Sequence, residues 1–423
     1  MSAVADSASR PRLLLLLPST TYRATAFVEG ARRLDLDLTV ATDHASVFAA
    51  VEPGRLVTFD FAHPERAADQ ARAFAARHAV AAVVGVDDDT AVVAAAIAAA
   101  LGLPHNPLEA ARAARDKHVQ RTLHARYGVP VPESRLHALE EDPAAVARTA
   151  GYPCVLKPTC LSASRGVIRA DSPGGFVKAH ARLARILAEP EVAALGAAAR
   201  QYLVEAFVPG PEVALEGVLV DGRLHVLALF DKPDPLDGPF FEETIYVTPS
   251  GLGAAAQRAI AACAGRAAEA LGLVTGPVHA ELRFNGGPWL IEMAARPIGG
   301  RCSRVLRFGP GGMSLEELLL RQAAGLAVPS CERESQPVGV MMIPVPGAGT
   351  LRAVRGVEEA RAVPGIDGIE LTAHAGQRLV PLPEGAQYPG FIFARAESPA
   401  AVQVALRRAH ACLAFDLEPE SGR

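Results

Sequence analysis

The chain has no apolar run near the roughly 18 residues needed to cross a bilayer, which excludes a membrane-spanning segment. Five consecutive leucines, residues 13–17, follow Arg10 and Arg12 but stop at Pro18. That is too short for the apolar core of a signal peptide and suits a buried first strand. Without a targeting segment the expected location is the cytoplasm. No pair of the six cysteines forms a CxxC, which argues against a zinc site and against a disulfide framework. Basic residues (42) do not outnumber acidic ones (46), so a nucleic-acid surface is not expected. No GxGxxG follows the first apolar run and no GxxxxGK[ST] occurs anywhere, which removes the dinucleotide fingerprint and the Walker A loop.

What is present is length and alternation. At 423 residues the chain exceeds one ordinary core and should divide into several units. Residues 1–11 are small and polar and are expected to be disordered. From residue 12 to residue 101 apolar strands alternate with helical stretches, the pattern of a parallel, doubly wound sheet. Asp87-Asp88-Asp89 ends one of these strands, as a helix N-cap with solvated acids or as a ligand-binding carboxyl edge. Residues 102–107 form a linker, and residues 108–127 are predicted as one helix containing Asp116-Lys117. Cys160 falls in a loop and is predicted to be a plain small residue there.

Three stretches carry chemistry. In the first, an apolar strand delivers Lys157, then small residues run through Ser162, Ala163, Ser164, Arg165 and Gly166. Small side chains let backbone N–H groups approach phosphate oxygens, and a lysine adds a point charge; an ordinary turn is the alternative. In the second, Tyr202-Leu-Val-Glu205-Ala-Phe-Val-Pro-Gly210-Pro-Glu212 reads as a strand opening onto an extended segment whose backbone could pair with a base edge. Glu212 could accept from vicinal ribose hydroxyls; a strand–turn–strand with solvated glutamates is the plain alternative. Residues 231–248, rich in proline and acids, follow as a long irregular segment, the kind that is more often functional than idle.

The third stretch is the centre of the reading. Residues 279–284 and 289–296 alternate around Asn285-Gly286-Gly287-Pro288, which predicts a hairpin. His279, Glu281 and Arg283 share one face, as do Glu292, Ala294 and Arg296. A symmetric hairpin sets Glu281 opposite Glu292. Facing carboxylates repel, unless a divalent cation lies between them; Mg²⁺, usually held by one or two carboxylates with substrate phosphates, fits this best. An exposed face with solvated charges is the plain alternative.

Taken in order, these segments resemble the ATP-grasp superfamily over essentially the whole chain. The Glu292-Met-Ala-Ala-Arg296 form is similar to the L-amino-acid ligase branch, and the layout after residue 363 resembles that branch and the biotin-carboxylase-like one. The resemblance implies an α/β and α+β architecture: an N-terminal doubly wound domain (1–107), an ATP-grasp domain (108–331, with a lid at about 150–206) and a C-terminal α+β lid-like unit (332–423). It implies ATP contacts from Lys117, Lys157, Ser162, Ser164, Arg165, Gly166, Glu205, Ala206, Phe207, Val208 and Glu212. Glu281 and Glu292 would hold Mg²⁺, with Mn²⁺ as a substitute, and Arg296 would stabilise the transferring phosphoryl group. Glu243 would meet a substrate ammonium, beside Tyr246 where the branch often has histidine. His279, Gly299, Gly300 and Arg301 would complete the substrate pocket, the two glycines leaving its floor open. Ala294 stands where many relatives have asparagine, which leaves the number of metal ions open. The implied reaction is an ADP-forming carboxylate–amine ligation through an acyl phosphate, on an amino acid or similar metabolite. A biotin-carboxylase-like or purine-pathway enzyme and a non-catalytic nucleotide-binding protein are the alternatives. The expected partners are a small carboxylate and an amine, with a homodimer as the expected assembly.

Overall fold

The computed structural model describes residues 11–19, 21–45 and 54–419, so nearly all of the segment expected to be disordered (1–10) lies outside the described residues. Arg12–Leu16, Asp37–Thr42, Leu56–Thr58 and Ala82–Gly85 form a four-stranded sheet with every pairing parallel. The leucine run is the middle of it: Leu13 to Leu16 are at most 1% exposed, buried from both faces. The helices Ala24–Arg33, Pro64–Ala75 and Asp88–Ala100 provide that cover.

The stretch predicted as one helix is two, Leu108–Arg115 and Lys117–Arg126. Asp116 breaks it: its backbone is extended, and its carboxylate accepts from the N–H groups of His118 and Val119. An aspartate that caps the next helix competes with continuing the previous one, and this cap sets Lys117 at a helix start.

A small antiparallel sheet follows, in the order Ser134–Ala138, Gln201–Ala206, Cys154–Pro158, Ile168–Ala170, backed by the helix Pro173–Leu187. It begins earlier than the lid expected from the sequence, because Ser134 pairs with Glu205 and brings the strand before residue 150 into the unit.

The large sheet has eight strands, ordered Pro288–Ala294, Gly276–Phe284, Glu212–Val220, Arg223–Lys232, Ile245–Thr248, Val338–Met342, Gly390–Arg395, Ile366–Leu371. It runs without interruption across residue 332, where the sequence suggested a boundary. Its strands are longer than expected at one point: Asp231 and Lys232, read as the start of an irregular segment, are still strand, paired with Val213 and Glu212. One face packs on Ala254–Leu271 and Pro399–Cys412. The other packs on the first parallel sheet and the helix Leu315–Ala323, through Ala214, Phe230, Tyr246, Val340, Met342 and Phe393. A three-stranded sheet of Arg378–Leu379, Gly349–Arg355 and Ala414–Glu418 completes the chain. No helix among the described residues is long and apolar enough to cross a membrane. All six cysteines are free.

Candidate active site

The hairpin register is the expected one at its centre: Glu281 pairs with Glu292 and His279 with Ala294. A bulge after Glu281 then sets Leu282 against Leu290 and Arg283 against Trp289. A second turn fixes the neighbouring strand. Gly210 has φ of +109°, and a Cβ there would fall 2.4 Å from the Phe284 carbonyl oxygen, so only glycine lets this turn close against the hairpin. Glu212 follows it onto the sheet, beside Arg283 and Lys232.

The result is a row of charged side chains along one face. The Lys232 ammonium is buried among Glu212 (2.7 Å), Glu243 (2.5 Å) and Glu281 (3.3 Å). Burial alone would lower its pKa, but the three carboxylates raise it well above the usual lysine range. Against the same opposing effect of burial, Lys232 and His279 hold Glu281 well below the usual carboxylate range. Glu243 is pushed upward by burial and, against the pull of Lys232, by the Glu281 charge. Glu212 also accepts from the Arg283 guanidinium at 2.9 Å. Among the described residues, ligand oxygens of Glu212, Glu243 and Glu281 come within 4.8 Å of one another.

A second buried cluster has the opposite balance. Glu205 is held by the Arg121 guanidinium at 2.6 Å and the Lys157 ammonium at 3.5 Å, with Arg121 and Glu205 each 4% exposed. Although burial works the other way, these two cations hold Glu205 below its usual range. Lys117 links the two regions, forming an ion pair with Glu292 (2.9 Å) and donating to the Leu161 carbonyl (2.9 Å) in the small-residue loop.

One cavity is lined by both clusters. Lys117, Lys157, Ser162, Ser164, Glu205, Ala206, Phe207, Val208, Glu212, Glu243, Tyr246, His279, Glu281, Glu292, Arg296, Gly299 and Gly300 all reach it. Arg165, Gly166 and Arg301 do not. The Arg165 guanidinium pairs with Glu189 and Glu191 and donates to the Glu384 carbonyl, while the Gly166 N–H donates to the Pro383 carbonyl. Arg301 turns to Glu370 at 3.0 Å. The Ala206 and Phe207 N–H groups donate to the carbonyls of Glu133 and Pro153, and the Val208 carbonyl accepts from Arg283. Cys160 is half-buried, and burial pushes its thiol upward, away from thiolate reactivity.

Arg296 has a partner that the sequence did not reveal. Its guanidinium meets Asp88 at 2.9 Å, and its own pKa is raised by that contact although burial opposes it. Burial works against ionisation of Asp88 too, yet Arg296 and Arg115 bring its carboxyl down to about 2. Of the three aspartates, Asp87 caps the helix Asp88–Ala100 through Thr90, and Asp89 pairs with Arg115. The N-cap reading thus fits Asp87 and misses Asp88. Lys232 and Arg121 are the site residues that sequence reasoning passed over, while Asp88 was read within its aspartate run but without its Arg296 partner. Lys232 alone had a legible signal, since it continues the alternation Ala228, Phe230, Lys232 before Pro233 stops the strand.

Comparison with known proteins gives the same order of parts. Residues 150–305 match the ATP-grasp domain, residues 28–105 the ATP-grasp N-terminal domain, and residues 341–418 the L-amino acid ligase C-terminal domain 2. A crystal structure of L-amino acid ligase from Bacillus licheniformis superposes with a TM-score of 0.80 at 26% identity, covering 97% of this chain and 99% of that one. The chain belongs to the ATP-grasp superfamily, in its L-amino acid ligase branch. The alanine–anticapsin ligase of Bacillus subtilis (strain 168) is 30% identical over 213 residues, 47% of this chain; that match spans 44% of the ligase's own length. An uncharacterized protein of Sinorhizobium fredii is 24% identical over 99% of the chain and 86% of its own length. The ATP-grasp family binds ATP with Mg²⁺.

Proposed function

We propose that this ATP-grasp protein is an ADP-forming ligase joining the carboxylate of one amino acid to the amine of another. The carboxylate attacks the γ-phosphorus of ATP, releasing ADP and leaving an acyl phosphate. The amine then attacks the acyl carbon, inorganic phosphate leaves with the C–O bond electrons, and the amine loses its proton. Such phosphoryl chemistry needs positioning and charge neutralisation more than a protein nucleophile.

The observation that carries this reading is the pair of clusters of opposite surplus on one cavity. Glu205 between Arg121 and Lys157 leaves one positive charge over, which suits nucleotide phosphates. Three carboxylates around Lys232 leave negative charge over, even with Arg283 at Glu212, which suits a cation. All-oxygen donors on neighbouring strands fit Mg²⁺, and Ala294 adds no ligand. Glu281 and Glu292 would hold the ion, which when bound would neutralise phosphate charge. Lys117 and Lys157 would contact phosphates, with Ser162 and Ser164 closing over them; Glu205 and residues 206–208 would seat adenine, and Glu212 the ribose. Arg296, oriented by Asp88, would face the charge developing on the transferring phosphoryl group. Glu243 would accept from the substrate ammonium, with His279 and Tyr246 beside it.

The test is phosphate release from ATP and Mg²⁺ across a matrix of amino-acid pairs. Release that requires both an acid and an amine supports the ligase; release driven by bicarbonate alone, or none with any pair, overturns it. A Glu292→Gln variant should remain folded and lose turnover.

A further inference from the structure

Along the large sheet, the cavity floor changes character strand by strand. Glu292, Glu281 and Glu212 come from three strands at one side, with Lys232 of the fourth buried beneath the carboxylates. Tyr246, Met342 and Phe391 come from the next three, with Met342 paired directly to Phe391 and its N–H donating to the Thr244 carbonyl, one residue from Glu243. Tyr388 stands against Phe391 at 6.3 Å between ring centres, and Tyr22, from the loop after the first strand, closes the other side at 6.5 Å. The Arg301 guanidinium, tied to Glu370, lies over both Tyr22 (5.3 Å) and Phe391 (5.8 Å) and pins these rings from outside. Gly300 packs directly on Met342, since a Cβ there would fall 2.5 Å from the sulfur, and a Cβ on Gly299 would stand in contact with the Tyr22 hydroxyl at 3.7 Å.

We infer that this recess receives the side chain of the amino acid whose carboxylate is activated, and that this side chain is bulky and apolar, aromatic above all. This deepens the proposed function and rests on it. A substrate ammonium at Glu243 lies beside Met342, whose N–H donates to the carbonyl of the next residue, Thr244, and Tyr388 lines the same cavity. Aromatic faces and a thioether offer contact area and polarizability to a ring or thioether. A small side chain would leave those surfaces wet.

The experiment is steady-state phosphate release by the full chain with Mg²⁺ and ATP, varying the activated amino acid against a fixed excess of amine. L-phenylalanine, L-tyrosine or L-methionine should exceed L-alanine in kcat/KM by about 100-fold, the scale on which several buried methylenes discriminate. Met342→Trp should invert that ratio by filling the recess. Tyr22 is 42% exposed on a loop, so Tyr22→Ala should fold and should cut the phenylalanine-to-alanine ratio about tenfold. Reading a ratio cancels any loss of folded enzyme. Preference for alanine, glycine or an acidic residue, or a ratio unmoved in Tyr22→Ala, overturns the recess assignment and leaves the ligase standing. Absence of release with every pair overturns both.

Discussion

The two buried ion clusters are made of the same residue types and behave as opposites. Around Glu205, two cations serve one carboxylate; around Lys232, three carboxylates share one ammonium, with Arg283 relieving Glu212. Desolvating a charge is costly, so a buried cluster is tolerated only when its members compensate one another. Neither cluster compensates fully from within the chain. The lesson is that the imbalance is directional: one region keeps a positive surplus and the other a negative one, the pattern the proposed metal–nucleotide site calls for.

Removing the central cation should break this comparison most strongly. Lys232→Met leaves three carboxylates facing one another and is expected to cost about 4 kcal/mol in urea unfolding at neutral pH. Millimolar Mg²⁺ should recover part of that loss. Arg121→Met, in the other cluster, should cost less, about 3 kcal/mol, because Lys157 stays beside Glu205, and Mg²⁺ should not help. Rescue of both variants, or of neither, would mean that the clusters do not differ in kind.

Asp88 sharpens the comparison on the pH axis. Its carboxyl titrates near 2 in the fold against an ordinary value of 3.8, so its contribution is present above about pH 4 and is lost as pH falls towards 2. The full effect is about 2 kcal/mol at most. Acid unfolding of Asp88→Asn should therefore show a shallower slope than the parent between pH 4 and pH 2, and an equal slope would remove the depressed carboxyl. The smallest effect belongs to Arg182–Glu384, where both side chains are about one third exposed and join the small antiparallel sheet unit to residues 381–385. Glu384→Gln should cost less than about 1 kcal/mol and less still at high salt, the solvated counterpart of the two interior clusters.

The hairpin was legible because its register depends on local signals: the Asn285–Pro288 turn and strict alternation put Glu281 across from Glu292. The first parallel sheet was legible for the same reason. The break at Asp116 lay in a local signal too, an aspartate able to cap, which the alanine-rich run around it masked. Lys232 was hidden by the proline after it. Asp88–Arg296, 208 positions apart, and Arg121–Glu205, 84 apart, are products of tertiary folding with no signature in composition or period. Arg165 illustrates the reverse case. It sits in a loop rich in phosphate-binding residue types, yet Glu189 and Glu191 take its charge.

The central claim is that Glu281 and Glu292 together receive the divalent cation, with Glu243 reserved for substrate. Mn²⁺ binding followed by electron paramagnetic resonance, with a non-hydrolysable ATP analogue present, tests it most directly. The account predicts that bound Mn²⁺ disappears in Glu281→Gln and in Glu292→Gln and persists in Glu243→Gln. Binding that survives Glu292→Gln and vanishes in Glu243→Gln would pair Glu281 with Glu243 rather than with Glu292 and contradict the account.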